Sequence, residues 1–131
     1  MGQQQLLLII LGVIIVGIAI AVGISMFSSS SVQANKDAIV NDLNNLAADS
    51  YQYKIRPTTM GGGGGSYGGY KIPTKLQSNE NGTYTPTTAT AAGAQSFNFV
   101  GTSVPYAGST VTATVDSTGK LTSFTYAGQF Q

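Results

Sequence analysis

Nineteen consecutive residues, Leu6 to Ile24, are drawn only from Leu, Ile, Val, Ala and Gly, and the first charge in the chain is Lys36. At about 1.5 Å per residue such a run spans roughly 28 Å as a helix, close to the hydrocarbon thickness of a bilayer. A segment of this kind cannot stay in water, so it is either a membrane anchor or the buried spine of an assembly. The residues ahead of it, Met1-Gly2-Gln3-Gln4-Gln5, carry no Lys or Arg. A cleavable secretory signal needs a basic leader and an apolar core of about 7–15 residues. The expectation is therefore an uncleaved helix, with the rest of the chain as its cargo.

Composition narrows that cargo. After the apolar quarter of 131 residues there is room for one small domain. Net charge is +1 and only 8% of residues are charged, so no basic footprint points to nucleic acid. His, Cys and Trp are absent. This removes imidazole and thiolate nucleophiles, disulfides and the usual transition-metal ligands. The carboxylates are Asp37, Asp42, Asp49, Glu80 and Asp116, with no spacing suited to calcium or to paired acid–base work. The reading is of a protein that is not an enzyme and has no catalytic, cofactor or metal site.

The apolar rhythm continues beyond the first segment. Val32, Ile39, Leu43, Leu46 and Tyr53 follow one another at spacings of 7, 4, 3 and 7, which lines them along one helical face. Asn35, Asp42, Asn45 and Asp49 lie mostly off that stripe. Pro57 predicts a stop near Arg56. The serines Ser28 to Ser31 are poor helix formers but not breakers. A continuous helix from Gln3 to Arg56 and a break capped by Ser31 or Asn35 are both compatible with them.

Residues 57–70 read as a Gly-rich linker. Gly61 to Gly65 lacks the Gly-Lys-Ser/Thr of a phosphate loop, and a flexible crossing is the simpler expectation. Residues 71–131 read as a Thr-rich antiparallel β domain. Phe97 and Phe99 alternate with polar neighbours, as do Val111, Ala113 and Val115. Asp116-Ser117-Thr118-Gly119 marks a turn, after which Leu121 to Tyr126 returns with Phe124 and Tyr126 on one face. Shorter strands are expected at Lys71 to Leu76 and Gly82 to Thr85, with Pro73 and Pro86 confining them to edges. Leu, Ile, Val and Phe supply only 11 of these 61 residues, too few for a sheet that folds unaided. The stripe Ile39, Leu43 and Leu46 should cover it, against Phe97, Phe99, Val111, Val115 and Phe124. The fold class is thus α+β: a long N-terminal helix, apolar in its first half and amphipathic in its second, packed on a small C-terminal antiparallel sheet. The divisions are 1–56 for the helix, with 6–27 as the membrane or core segment, then 57–70 and 71–131.

An apolar helix at Gln3 to Phe27, an amphipathic stripe from Val32 to Tyr53 and a terminal hairpin at Val111 to Tyr126 together resemble a type IV pilin or pilin-like filament subunit. That family typically carries a glutamate five residues into the mature chain and a cleavage glycine after a short basic leader. Counted from Met1, this chain has Gln5 at the glutamate position, and a leader ending at Gly2 would be only two residues long and uncharged. The proline often found inside the family's apolar segment is also missing, although Gly12, Gly17 and Gly23 weaken the helix locally.

The resemblance implies a structural subunit of an extracellular pilus-like filament, membrane-inserted before assembly. Its implied partners are further copies of itself, the membrane and an assembly machinery, with a role in cell adhesion among the expectations. Polymerisation would run through Leu6, Leu7, Leu8, Ile9, Ile10, Leu11, Gly12, Val13, Ile14, Ile15, Val16, Gly17, Ile18, Ala19, Ile20, Ala21, Val22, Gly23 and Ile24. Gly17 with Ala21 and Ala19 with Gly23 read in two ways: as small pairs that let helices approach closely, or as ordinary small residues of a membrane helix. The alternatives are a pseudopilin-like part of an envelope secretion machine and a non-polymerising single-pass protein with a binding β domain. Lys36, Lys54 and Arg56 all follow the apolar run, which by charge alone favours a cytoplasmic C-terminus. The Thr-rich sheet outweighs that signal. Asn81-Gly82-Thr83 matches a glycosylation sequon, which makes Asn81 a candidate for a sugar.

Overall fold

A computed structural model describes residues 2–86 and 91–131. A single helix, α1, spans Gly2–Ile55 and is followed by a four-stranded antiparallel sheet. The strands are β1 (Gly82–Pro86), β2 (Phe97–Ser103), β3 (Thr110–Val115) and β4 (Leu121–Ala127), in the spatial order β1-β2-β3-β4. By internal contacts the chain divides into two units, Met1–Gln33 and Ala34–Gln131. Ser28 to Ser31 are helical, as their modest propensity cost allows. At the other end Pro57 stops the helix, because it has no N–H to donate to the preceding turn.

In the second unit the predicted stripe covers the sheet. Ile39, Leu43 and Leu46 are buried, as are Phe97, Phe99, Val111, Ala113 and Val115. Burial alternates without a fault along β2 and β3, as period-2 side chains require of a sheet with one covered face. Gly101 on β2 lets the helix sit close, since a Cβ there would lie 2.6 Å from Ile39 Cγ2.

The aliphatic shortfall of the β domain is met by aromatics. Tyr67, Tyr70 and Tyr84 are buried with Ile72 and Phe130. Tyr67 meets Phe97 edge-on at 5.0 Å, Phe97 meets Phe99 at 4.7 Å, and Tyr70 meets Tyr53 at 5.4 Å. Such pairs add about 0.5–1.5 kcal/mol each beyond their buried area.

Three local expectations are corrected. The glycine run is not a slack crossing. Gly63 N donates to Tyr53 O at 2.8 Å, Gly65 N to Lys54 O at 2.7 Å and Gly64 N to Arg56 O at 3.0 Å. These bonds satisfy carbonyls that a helix end leaves orphaned, and the wrapped loop delivers Tyr67 and Tyr70 into the core. Lys71 to Leu76 is not a strand. Pro73 opens a 3-10 turn over Thr74–Leu76, with Leu76 N donating to Pro73 O at 2.8 Å. Phe124 is not core either, remaining 38% exposed. A bulge interrupts the β3–β4 register between Thr112 and Thr114, and Ser123 there adopts φ 53°. The extra residue re-aims the strand, leaving Phe124 stacked beside Tyr126 at 6.4 Å near the margin.

The wrapped loop has no room for a side chain at Gly63, where a Cβ would lie 1.9 Å from Ser66 O. Gly63→Ala is expected to lower the stability of the β domain by about 1–3 kcal/mol, the usual range for overpacking. Thermal melting followed by near-UV circular dichroism would read it. An unchanged melt would mean that the loop is slack after all.

Candidate assembly segment

Within the first unit every residue from Gly2 to Ser30 is exposed. Sixteen large apolar side chains, Leu6 through Phe27, are more than half exposed and lie on every face of the helix. Fully burying one such side chain contributes about 1.5–3 kcal/mol. Leaving sixteen half-bare in water therefore costs on the order of 20 kcal/mol, more than a domain's typical net stability of about 5–15 kcal/mol. The helix is long and apolar enough to cross a membrane. Because no face is polar, a single flat partner could not cover it. Its surroundings must enclose it, whether as lipid or as several other helices. The segment Leu6 to Ile24 is thus presented whole, and Gly12, Gly17 and Gly23 have open space where a Cβ would point.

The second half of the same helix is tied to the β domain by polar groups that the apolar stripe does not reveal. Asn35, Asp42 and Asp49 recur every seven residues, so they line up beside the apolar stripe along α1. Asn35 is buried. It donates from Nδ2 to Asn81 O at 3.2 Å and accepts from Ser103 Oγ at 2.6 Å. Asp42 Oδ2 accepts from Tyr84 Oη at 2.5 Å and from Asn79 Nδ2 at 2.7 Å. Asp49 Oδ2 accepts from Tyr70 Oη at 2.7 Å. One turn further on, Lys54 is buried, donates to Ser117 O and lies 5.1 Å over the Tyr67 ring. Lys36 sits 3.9 Å over the ring of Tyr126. Sequence reasoning missed Tyr67, Tyr70 and Tyr84 as core residues and Asn35 as a brace. The heptad recurrence of 35, 42 and 49 was the signal that could have found the braces.

The phenols are held neutral. Burial first, then the hydrogen bond to Asp49 and its charge, lift Tyr70 well above the ordinary phenol range. Burial and Asp42 do the same for Tyr84, and burial and the charge of Asp116 for Tyr67. At the β3–β4 turn, bonds from Thr118 and from the Lys120 amide hold the Asp116 carboxyl below its usual value.

Asn81 is half-buried in the turn before β1. Its backbone carbonyl also accepts from Val104 N at 3.2 Å. Two shallow depressions flank Tyr84. The larger, about 270 Å³, is lined by Lys71, Ile72, Gln77, Tyr84 and Thr85. No cluster of His, Cys, Asp or Glu that could hold a metal occurs among the described residues. No protein-family model, curated protein or solved structure matches the chain.

The raised phenol values have a definite sign. An unfolded tyrosine releases its proton near pH 10, whereas Tyr70 and Tyr84 hold theirs in the fold. Their stabilising contribution is therefore complete below about pH 10 and is lost as pH rises through the folded values. Denaturant titrations at about pH 9 and about pH 11 should show a clear fall in stability between the two. The fall should shrink in Tyr70→Phe and Tyr84→Phe. An equal fall in both variants would mean that these phenols do not set the alkaline limit.

Proposed function

We propose that this chain is the structural subunit of an extracellular type IV pilus-like filament, polymerising through Leu6 to Ile24. The observation that carries the reading is the all-round exposure of that segment on a helix whose later turns serve as the lid of a polar sheet. Before assembly the segment would lie in lipid. In the filament it would be enclosed by the same segment of other copies, and the Thr-rich sheet would face the surroundings. Lipid is already as apolar as leucine, so the transfer must be driven by close packing rather than by escape from water. The small residues at 12, 17, 19, 21 and 23 suit that requirement. The role is mechanical, not catalytic: the buried polar side chains described above are engaged in bracing the fold.

A decisive experiment is electron microscopy of material sheared from cells that make the chain, with intact mass measurement of the subunit. Thin, uniform fibres of this chain are expected, and Ile15→Asp should abolish them. A carboxylate at the middle of the segment costs about 2.5–3.5 kcal/mol in a membrane, and in a filament that cost recurs with every subunit. A wild-type chain that stays in the membrane fraction and is monomeric in detergent would overturn the filament reading.

A further inference from the structure

Asn81–Gly82 is the only Asn–Gly step in the chain. Beside a glycine, with no side chain to crowd it, the backbone nitrogen can attack the preceding side-chain amide. We propose that this step is a latent self-modification site, a succinimide-forming peptide held shut by the side chain of Asn79. In the reaction the Gly82 nitrogen gives up its proton to solvent base and bonds to Asn81 Cγ. The bond from Cγ to the amide nitrogen breaks, and ammonia leaves carrying that proton. Water then opens the ring at either carbonyl, giving an aspartyl or an isoaspartyl residue. Water is the only co-reactant.

The geometry closes this route. Asn79 Oδ1 accepts from Gly82 N at 3.0 Å and from Asn81 N at 2.8 Å. The proton that must leave is therefore already committed. The Asn79 side chain is itself anchored by Asp42 on α1. The Asn81 carbonyl is held by Asn35 Nδ2 and Val104 N, and Gly82 is paired with Ser103 in the sheet, so the peptide plane cannot swing its nitrogen onto Cγ. The hazard is not removable by replacing the glycine, because a Cβ at Gly82 would lie 2.6 Å from Thr102 O. The fold needs glycine at this position and shields the bond that glycine exposes. Opening to isoaspartate would add a methylene to the main chain immediately before β1. It would also displace the carbonyl that Asn35 grips, loosening the helix from the sheet. The inference does not depend on the filament reading.

The test is to incubate the full chain in detergent at mildly alkaline pH and measure conversion of Asn81 by mass spectrometry of the tryptic peptide 76–120. The chain is compared folded, in denaturant, and as three variants whose melting is checked. Asn79→Ala should speed conversion of the folded protein by about five- to ten-fold, the protection that one or two ground-state hydrogen bonds confer. Tyr84→Phe, which loosens the same junction but leaves Asn79 in place, should stay near the wild-type rate. Asn79→Ser keeps an acceptor oxygen, which turns of this kind use more weakly, without bringing a second carboxylate against Asp42. It should convert more slowly than Asn79→Ala, which keeps the test valid if Asn79→Ala fails to fold. An unchanged rate in a folded Asn79→Ala would overturn the proposal, as would equal acceleration in Tyr84→Phe or a wholly unprotected Asn79→Ser. So would native material whose Asn81 amide already bears a sugar.

Discussion

The β domain depends on a lid that it does not encode within its own strands. Its sheet has one apolar face, built from Phe97, Phe99, Val111, Ala113 and Val115, and that face is covered by Ile39, Leu43 and Leu46 of the preceding helix. A sheet this lean in aliphatics would not bury enough surface alone to offset the entropy of ordering its chain. The aromatic side chains of the glycine-rich loop close the remaining gap. Three elements distant in sequence thus share one core.

Such a core would be tolerant of sliding if only apolar contacts held it, since Leu and Ile pack acceptably in neighbouring positions. The polar braces remove that freedom. Asn35, Asp42 and Asp49 each meet a specific donor or acceptor on the turn before β1, on β1, on β2 or on the glycine-rich loop. A shift of one helical turn would leave the buried Asn35 amide unpaired, at a cost of about 1–3 kcal/mol, and would strip the half-buried Asp42 and Asp49 of their partners. The braces therefore act on register more than on net stability.

This division explains which parts of the structure could be read in the sequence. Periodicity reports the environment of a face, so α1, β2, β3 and the turn at Asp116 were legible, as was the covering stripe. It does not report contacts made by polar residues or by loops. Tyr67 and Tyr70 sit among glycines, where no period exists, and their burial follows from backbone bonds to the end of α1 that only three dimensions display. Phe124 obeys the alternation on paper, but the bulge at Ser123 shifts it to the margin. Lys71 to Leu76 carries β-compatible residues, yet Pro73 starts a 3-10 turn. The exposure of Leu6 to Ile24 needed no inference about packing, since composition alone forbids water as its solvent.

The two halves of α1 therefore obey opposite rules. From Asn35 onward each buried position has a specific neighbour, and specificity comes from hydrogen bonds that cannot be exchanged. From Leu6 to Ile24 every large side chain is more than half exposed, and Leu, Ile and Val are nearly equivalent as apolar surface. That contrast is what a subunit needs if it must leave one apolar surrounding and enter another. A segment with fixed polar partners would have to break them to move, whereas a uniformly apolar one changes only the identity of the carbon atoms around it. The free-energy difference between lipid and a bundle of like helices is then small per residue and is set by packing density. Small residues raise that density by letting backbones approach. The residues that brace the β domain, Asn35, Asp42 and Asp49, all follow that segment in the chain.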